Sequence, residues 1–460
     1  MNGRGILERV PRASARRPRP GTPAGPREEG ERRPRPRARA AARSAAGRLV
    51  RSPFRRVLAY AAIAGPGIVA ANAGNDAGGI ATYSSAGSQF VYGTLFFMVL
   101  VTIALVLVQV MAVKLGAYTG KGLGALIREQ FSLRMTGIAV LSVLVANTGL
   151  VVSEFAGIGA AFQLMGVSRY VVVPISAVII WALVLFGSYR YAERVFLVLS
   201  LAFFAYPIAA VLARPKWGAV ASNLVVPHFQ FTTSYILLGV ALIGTTVSPY
   251  MQLYAASGVV DRGAGADDYR AVRADAASGA IFACIISIMI IIATGATIGG
   301  KGALNSAAEA AEALRPVAGS GAEMLFAIGL LGASALAGAV VPLSSSYAIS
   351  EAVGVERSVS RRFTEAPLFL GLFTFQVVLG AAVSLMPVNL ISLLIVTQVI
   401  EGIITPVLLT FILIMSNRRS LLGNAANGPV LKVAATVSVA AISVMSLFLL
   451  GQTVFSWLSF

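Results

Sequence analysis

Long apolar stretches separated by short polar connections run through most of the chain. Eleven stretches are long enough to span a bilayer, near residues 57–81, 93–117, 136–165, 171–188, 193–213, 233–257, 277–299, 321–350, 366–386, 389–415 and 431–456. About 18 to 20 apolar residues cross a hydrocarbon core as a helix. Inside lipid each segment must satisfy its own backbone, so each stretch predicts a helix. The pattern predicts an all-α polytopic membrane protein.

Two stretches carry polar interruptions near their middles. The first contains Gly74-Asn75-Asp76-Ala77-Gly78-Gly79. A carboxylate at membrane depth costs several kcal/mol and marks a functional position by default. Each glycine weakens a helix by about 1 kcal/mol relative to Ala. The segment therefore predicts an unwound helix that presents Asp76 and free backbone carbonyls, with Asn75 beside them, to a cation. The sixth stretch contains Gly244-Thr245-Thr246-Val247-Ser248-Pro249-Tyr250. Pro249 removes a backbone donor and clashes with the preceding turn. Paired interruptions five spans apart point to an inverted-repeat transporter with its site at the repeat interface. Two ordinary Pro/Gly kinks would not need Asp76.

Composition agrees: 57% of residues are hydrophobic and 12% charged, against about 25% charged in soluble domains. The single Cys284 excludes an intramolecular disulfide, and the single His228 excludes a multi-histidine metal site. The net charge of +18 suggests nucleic acid until its location is considered. Residues 1–56 hold 17 Arg and 4 Glu, most of that excess. Residues 1–52, rich in Arg, Pro, Ala and Gly, cannot bury a core and are expected to be a disordered, solvated cytoplasmic tail. Docking to anionic lipid headgroups is the functional alternative. No apolar h-region follows the early charges, so no signal peptide is expected. With the N-terminus inside, 15 of the 20 Lys and Arg after residue 56 fall on the cytoplasmic side. That asymmetry fits the positive-inside rule and places the C-terminus outside.

The motifs resemble a family. Gly65-Pro66-Gly67, then Asp76-Ala77-Gly78-Gly79 and Ala81-Thr82, resemble the GPG, DPGN and WAT segments of Nramp divalent-metal transporters. Gly244 to Tyr250 is similar to their GATVMPH. Thr397-Gln398-Val399, Pro406 and Ser416-Asn417-Arg418-Arg419 are similar to SQV, Pro and TSRR, over roughly residues 55–420. The resemblance implies a LeuT-type fold of two inverted five-helix repeats plus an eleventh helix. The expected divisions are 53–215, 216–420 and 421–460.

Within the resemblance, Asp76 keeps the family's metal-binding Asp. Gly79 stands for its Asn, Ser248 for its Met and Tyr250 for its His. Losing the Met removes the soft ligand that favours transition metals. The implied ligand set is oxygen only: Asp76, backbone carbonyls near Ala73 and Thr245, the Ser248 hydroxyl and the Gln398 amide. Such a set suits Mg²⁺, and the small side chains at Gly79 and Ser248 are expected to leave room for a partly hydrated ion. Tyr250 cannot shuttle protons at neutral pH as His does, and of the family's span 3 acids only Glu154 remains. The expectation is uptake of Mg²⁺, with Mn²⁺ as a further cargo, not coupled to protons, as in the Nramp-related magnesium transporters. A divalent ion gains about 4.6 kcal/mol per 100 mV on moving inward.

Gln398 is either an ion ligand or helix–helix glue; its family match favours the ligand. Glu401, three residues on and on the same face, either faces the aqueous path or pairs with a polar group in the bundle. His228 is expected at the surface. The alternatives are a proton-coupled Mn²⁺/Fe²⁺ carrier of the Nramp type and a Na⁺-coupled carrier of a small solute. No nucleophile–base pair or phosphate-cradling loop points to an enzyme. The remaining expectations are a monomer in the plasma membrane with lipid as its partner, no nucleic acid and no cofactor.

Overall fold

The computed structural model describes residues 75–186, 195–196, 198–199, 201–355 and 366–458. The basic tail of 1–52, most of the first predicted span and Ala73 lie outside the described residues. The fold is helical: α1 (Ala77–Phe90), α2 (Leu95–Thr119), α3 (Leu123–Gln130), α4 (Leu133–Leu164), α5 (Arg169–Leu185), α6 (Ala205–Leu212) and α7 (Trp217–Val225) come first. They are followed by α8 (Thr233–Thr246), α9 (Pro249–Asp261), α10 (Tyr269–Ile298), α11 (Ala322–Val353), α12 (Pro367–Ser384), α13 (Leu390–Asn417) and α14 (Pro429–Leu458). Among the described residues, eight helical stretches are long and apolar enough to cross a membrane, with α8 and α9 counted as one.

Local chemistry sets the ends. Thr232 caps α8 by accepting from the Tyr235 N–H at 3.3 Å, and Asn389 caps α13 by accepting from Ser392 at 3.1 Å. The long helices α2 and α11 stop at Gly120 and Gly354, both left-handed at φ 67° and 80°.

The first span extends further than its hydropathy suggests. Its described part runs to Phe90, not to residue 81. Thr82, Ser84, Ser85 and Ser88 lower the hydropathy of this segment, yet all are buried inside the bundle. The Thr82 hydroxyl returns to the Gly78 carbonyl at 2.7 Å, so the helix carries this polar group internally. Two short helices, α3 and α7, were not anticipated, because neither has a membrane-length apolar run.

Helix–helix contact in lipid depends on close packing and hydrogen bonds rather than on hydrophobic drive. α4 lies along α11, α12 and α13, α1 along α10, and α8 along α13. Where α8 meets α13 the backbones touch. A side chain at Gly244 would run into the backbone at Gln398 and Gly402, and one at Gly402 would run into Val240. Pro406, inside α13, cannot donate to the Gly402 carbonyl one turn earlier. Ser446 of α14 supplies that bond instead, at 2.8 Å. A proline that would otherwise leave a carbonyl bare in the membrane thus ties α14 to the core.

Candidate metal centre

α1 starts where the predicted break lies. Asp76 is extended (φ −73°, ψ 178°) and caps the helix, its Oδ1 accepting from the Gly79 N–H at 2.6 Å. The side chain is 1% exposed, and Oδ2 has no hydrogen-bond partner among the described residues. Asn75 beside it accepts from the Ser287 hydroxyl of α10 at 3.2 Å.

The second break separates α8 from α9 at Val247 and Ser248. The carbonyl of Thr245 would receive the N–H four residues on, but that residue is Pro249, which has none. An open helix C-terminus carries partial negative charge and favours a cation. Tyr83 of α1 holds this end by sharing a hydrogen bond with Thr246 at 3.0 Å.

The start of α1 and the break between α8 and α9 face each other. A Cβ at Gly79 would lie 2.6 Å from the Thr245 hydroxyl and 3.0 Å from Asp76 Oδ1. The space expected at Gly79 is therefore taken by the Thr245 hydroxyl, and what Gly79 contributes is its N–H to Asp76. Thr245 brings a side-chain oxygen as well as its carbonyl, a donor the sequence reading missed; two adjacent hydroxyls ahead of a proline were the available signal.

Ser248 donates to Glu401 Oε1 of α13, so one oxygen of Glu401 pairs with a polar group at the break, while Oε2 has no partner among the described residues. Gln398 lies one turn earlier, fully buried, with neither end of its amide bonded. It sits against Gly78 and the Ser153 hydroxyl of α4, since a Cβ at Gly78 would meet both. Glu154, on the next position of α4, is 0% exposed and faces the N-terminal N–H of α1 and Ser334, without a bond of good geometry to either. Tyr250 is buried within electrostatic reach of Asp76, Glu154 and Glu401.

The centre thus gathers Asn75, Asp76, Gly79, Thr245, Ser248, Tyr250, Gln398, Glu154 and Glu401. Ala73 falls outside the described residues. His228 is exposed in its loop, away from any ligand set. Among the described residues no group of three or more His, Cys, Asp or Glu converges on one point. Ion binding here would rest on a carboxylate oxygen, hydroxyls, an amide and backbone carbonyls. The ion pairs among the described residues are Lys121–Glu129, Arg262–Asp275 and Arg315–Glu312. None involves Asp76, Glu154 or Glu401, so among the described residues these buried carboxyls have no basic side chain as partner. A buried carboxylate without a partner is expensive, and a cation is a partner this arrangement can accept.

A family model described as "Natural resistance-associated macrophage protein-like", Nramp, matches residues 67–452. The divalent metal cation transporter MntH of Aeromonas hydrophila subsp. hydrophila is 25% identical over 399 residues, covering 84% of this chain and 94% of its own length. Among solved structures, the manganese transporter of Eremococcus coleocola superposes with a TM-score of 0.71 at 20% identity, over 84% of this chain and 85% of that one. MhsT, solved with L-phenylalanine, superposes at 0.55 with 14% identity, over 84% of this chain and 97% of that one. The likeness to both structures is one of fold, and that fold is the LeuT type that the family resemblance implied.

Proposed function

Since this chain belongs to the Nramp family, we propose that it carries divalent metal cations across the membrane through the centre at Asp76. The observation that carries this reading is the buried carboxylate itself. Asp76 spends one oxygen on capping α1 and leaves the other without a hydrogen-bond partner among the described residues, with Thr245 at the end of α8 close to Gly79. Two interrupted helices supply ligands at the bilayer midplane, and rocking of one helix group against the other around them gives alternating access. The repeat division at residues 53–215 and 216–420 accounts for the matched positions of the breaks. The asymmetry of Lys and Arg supports a plasma-membrane orientation with the N-terminus inside.

The relatives, named for divalent metal and manganese transport, support the Nramp-type reading with a cargo such as Mn²⁺ over Mg²⁺. A specific observation keeps the second reading. Ser248 and Tyr250 occupy the positions where the family's Met and His are expected, and the ligands around Asp76 are all oxygens. Oxygen ligation favours hard ions such as Mg²⁺ and Mn²⁺, and loss of the imidazole removes a proton carrier.

Uptake into proteoliposomes separates these readings. Mg²⁺- and Mn²⁺-sensitive dyes and an internal pH probe are followed under an imposed membrane potential. Mn²⁺ entry with acidification supports the coupled reading; entry of either ion at constant internal pH supports the uncoupled one. Failure of both ions to enter would overturn divalent-cation transport.

A further inference from the structure

Glu401 is an acid that the expected pattern of span 10 does not contain, and its setting mirrors that of Asp76. Each carboxylate is fully buried. Each commits one oxygen: Asp76 Oδ1 to the Gly79 N–H at the start of α1, and Glu401 Oε1 to the Ser248 hydroxyl at the start of α9. Each leaves the other oxygen without a partner among the described residues. Glu401 is held in this position by its backbone. Gly402 next to it touches the α8 backbone at Val240, and the Thr405 hydroxyl donates to the Glu401 carbonyl at 2.8 Å. Gln398, one turn earlier on the same helix face, has an amide without a hydrogen-bond partner among the described residues and lies against Gly78, two residues after Asp76.

We infer that Glu401 is a second anionic ligand for the transported cation, reached directly or through a bound water, so that Asp76 and Glu401 together match a charge of two. This inference rests on the function proposed above. Two carboxylates, one bonded at the start of α1 and the other at the break between α8 and α9, would neutralise a divalent ion and over-neutralise a monovalent one. Glu401 therefore takes the selective role that the family's Met would hold, and it selects by charge and hardness rather than by softness. Ser248 anchors Glu401 more than it binds the ion.

The test is Mn²⁺ and Mg²⁺ binding to the purified full chain by isothermal titration, with Na⁺ as competitor. Glu401→Gln keeps the shape and an acceptor for Ser248 but removes the charge. The expected result is at least a tenfold weaker affinity for both divalent ions and a stronger competition by Na⁺. Glu401→Asp retains the charge at shorter reach and is expected to keep the preference over Na⁺ while altering the Mg²⁺/Mn²⁺ ratio. Unchanged affinity in Glu401→Gln, with Asp76→Asn still weakened, would overturn the inference and leave the proposed function standing. Unchanged affinity in both variants would overturn the proposed function itself. If Glu401→Gln does not fold, Glu401→Asp decides alone: an unchanged Mg²⁺/Mn²⁺ ratio overturns the inference.

Discussion

Asp76 does two things at once in this structure, and they can be separated by substitution. It caps α1 through Oδ1, and in the proposed function its unbonded Oδ2 binds the cation. Asn caps a helix about as well as Asp, whereas Ala costs about 1 kcal/mol. Asp76→Asn should therefore fold normally. Without cation it should be no less stable than the wild type, because it keeps the cap and removes a buried ionisable carboxyl. Asp76→Ala should lose about 1 kcal/mol from the missing cap. Binding behaves differently. Removing one partner of a buried charge pair costs about 3–5 kcal/mol, which is roughly a hundredfold loss of affinity or more at 1.4 kcal/mol per decade. At a cation concentration of 100 times the wild-type Kd, binding stabilises the folded protein by about 2.7 kcal/mol. If Kd rises a hundredfold, the same concentration gives only about 0.4 kcal/mol. Thermal unfolding in detergent, with and without Mn²⁺ or Mg²⁺, reads both effects in one experiment. A full cation-induced shift retained by Asp76→Asn would refute the reasoning, as would an apo Asp76→Asn protein as unstable as Asp76→Ala.

Other outcomes follow from the packing and the ligands. Ser446→Ala leaves the Gly402 carbonyl bare, because Pro406 cannot donate to it; the expected cost is about 0.6–1 kcal/mol. In a Pro406→Ala background that cost should largely vanish, which a double-mutant cycle on unfolding free energy measures. Ser248→Met introduces a thioether at the break, and uptake assays should show Cd²⁺ and Mn²⁺ favoured further over Mg²⁺. A Cd²⁺/Mg²⁺ preference equal to that of the wild type would place position 248 away from the ion.

The fold was legible because membrane spans announce themselves by length and composition. Pro249 was legible as a break, and Asp76 as a buried carboxyl at the head of a helix, because each is costly in a membrane helix without a compensating role. The far end of α1 was not, since Thr82, Ser84, Ser85 and Ser88 read as polar while they face protein. The partners across the site were hidden as well. That Ser248 donates to Glu401, that the Thr245 hydroxyl fills the space beside Gly79, and that Ser446 satisfies Gly402 all depend on how helices distant in sequence are brought into register. Gly244 and Gly402 set that register by letting α8 and α13 touch. The spacing of residues within either helix says little about which face of the other it will meet.

The most direct test of the central claim is the anomalous diffraction of Mn²⁺ in crystals of the full chain. The account predicts a peak bonded to Asp76 Oδ2, next to the Thr245 carbonyl and on the Glu401 side of the break. A peak elsewhere, with none within bonding distance of Asp76, would contradict it.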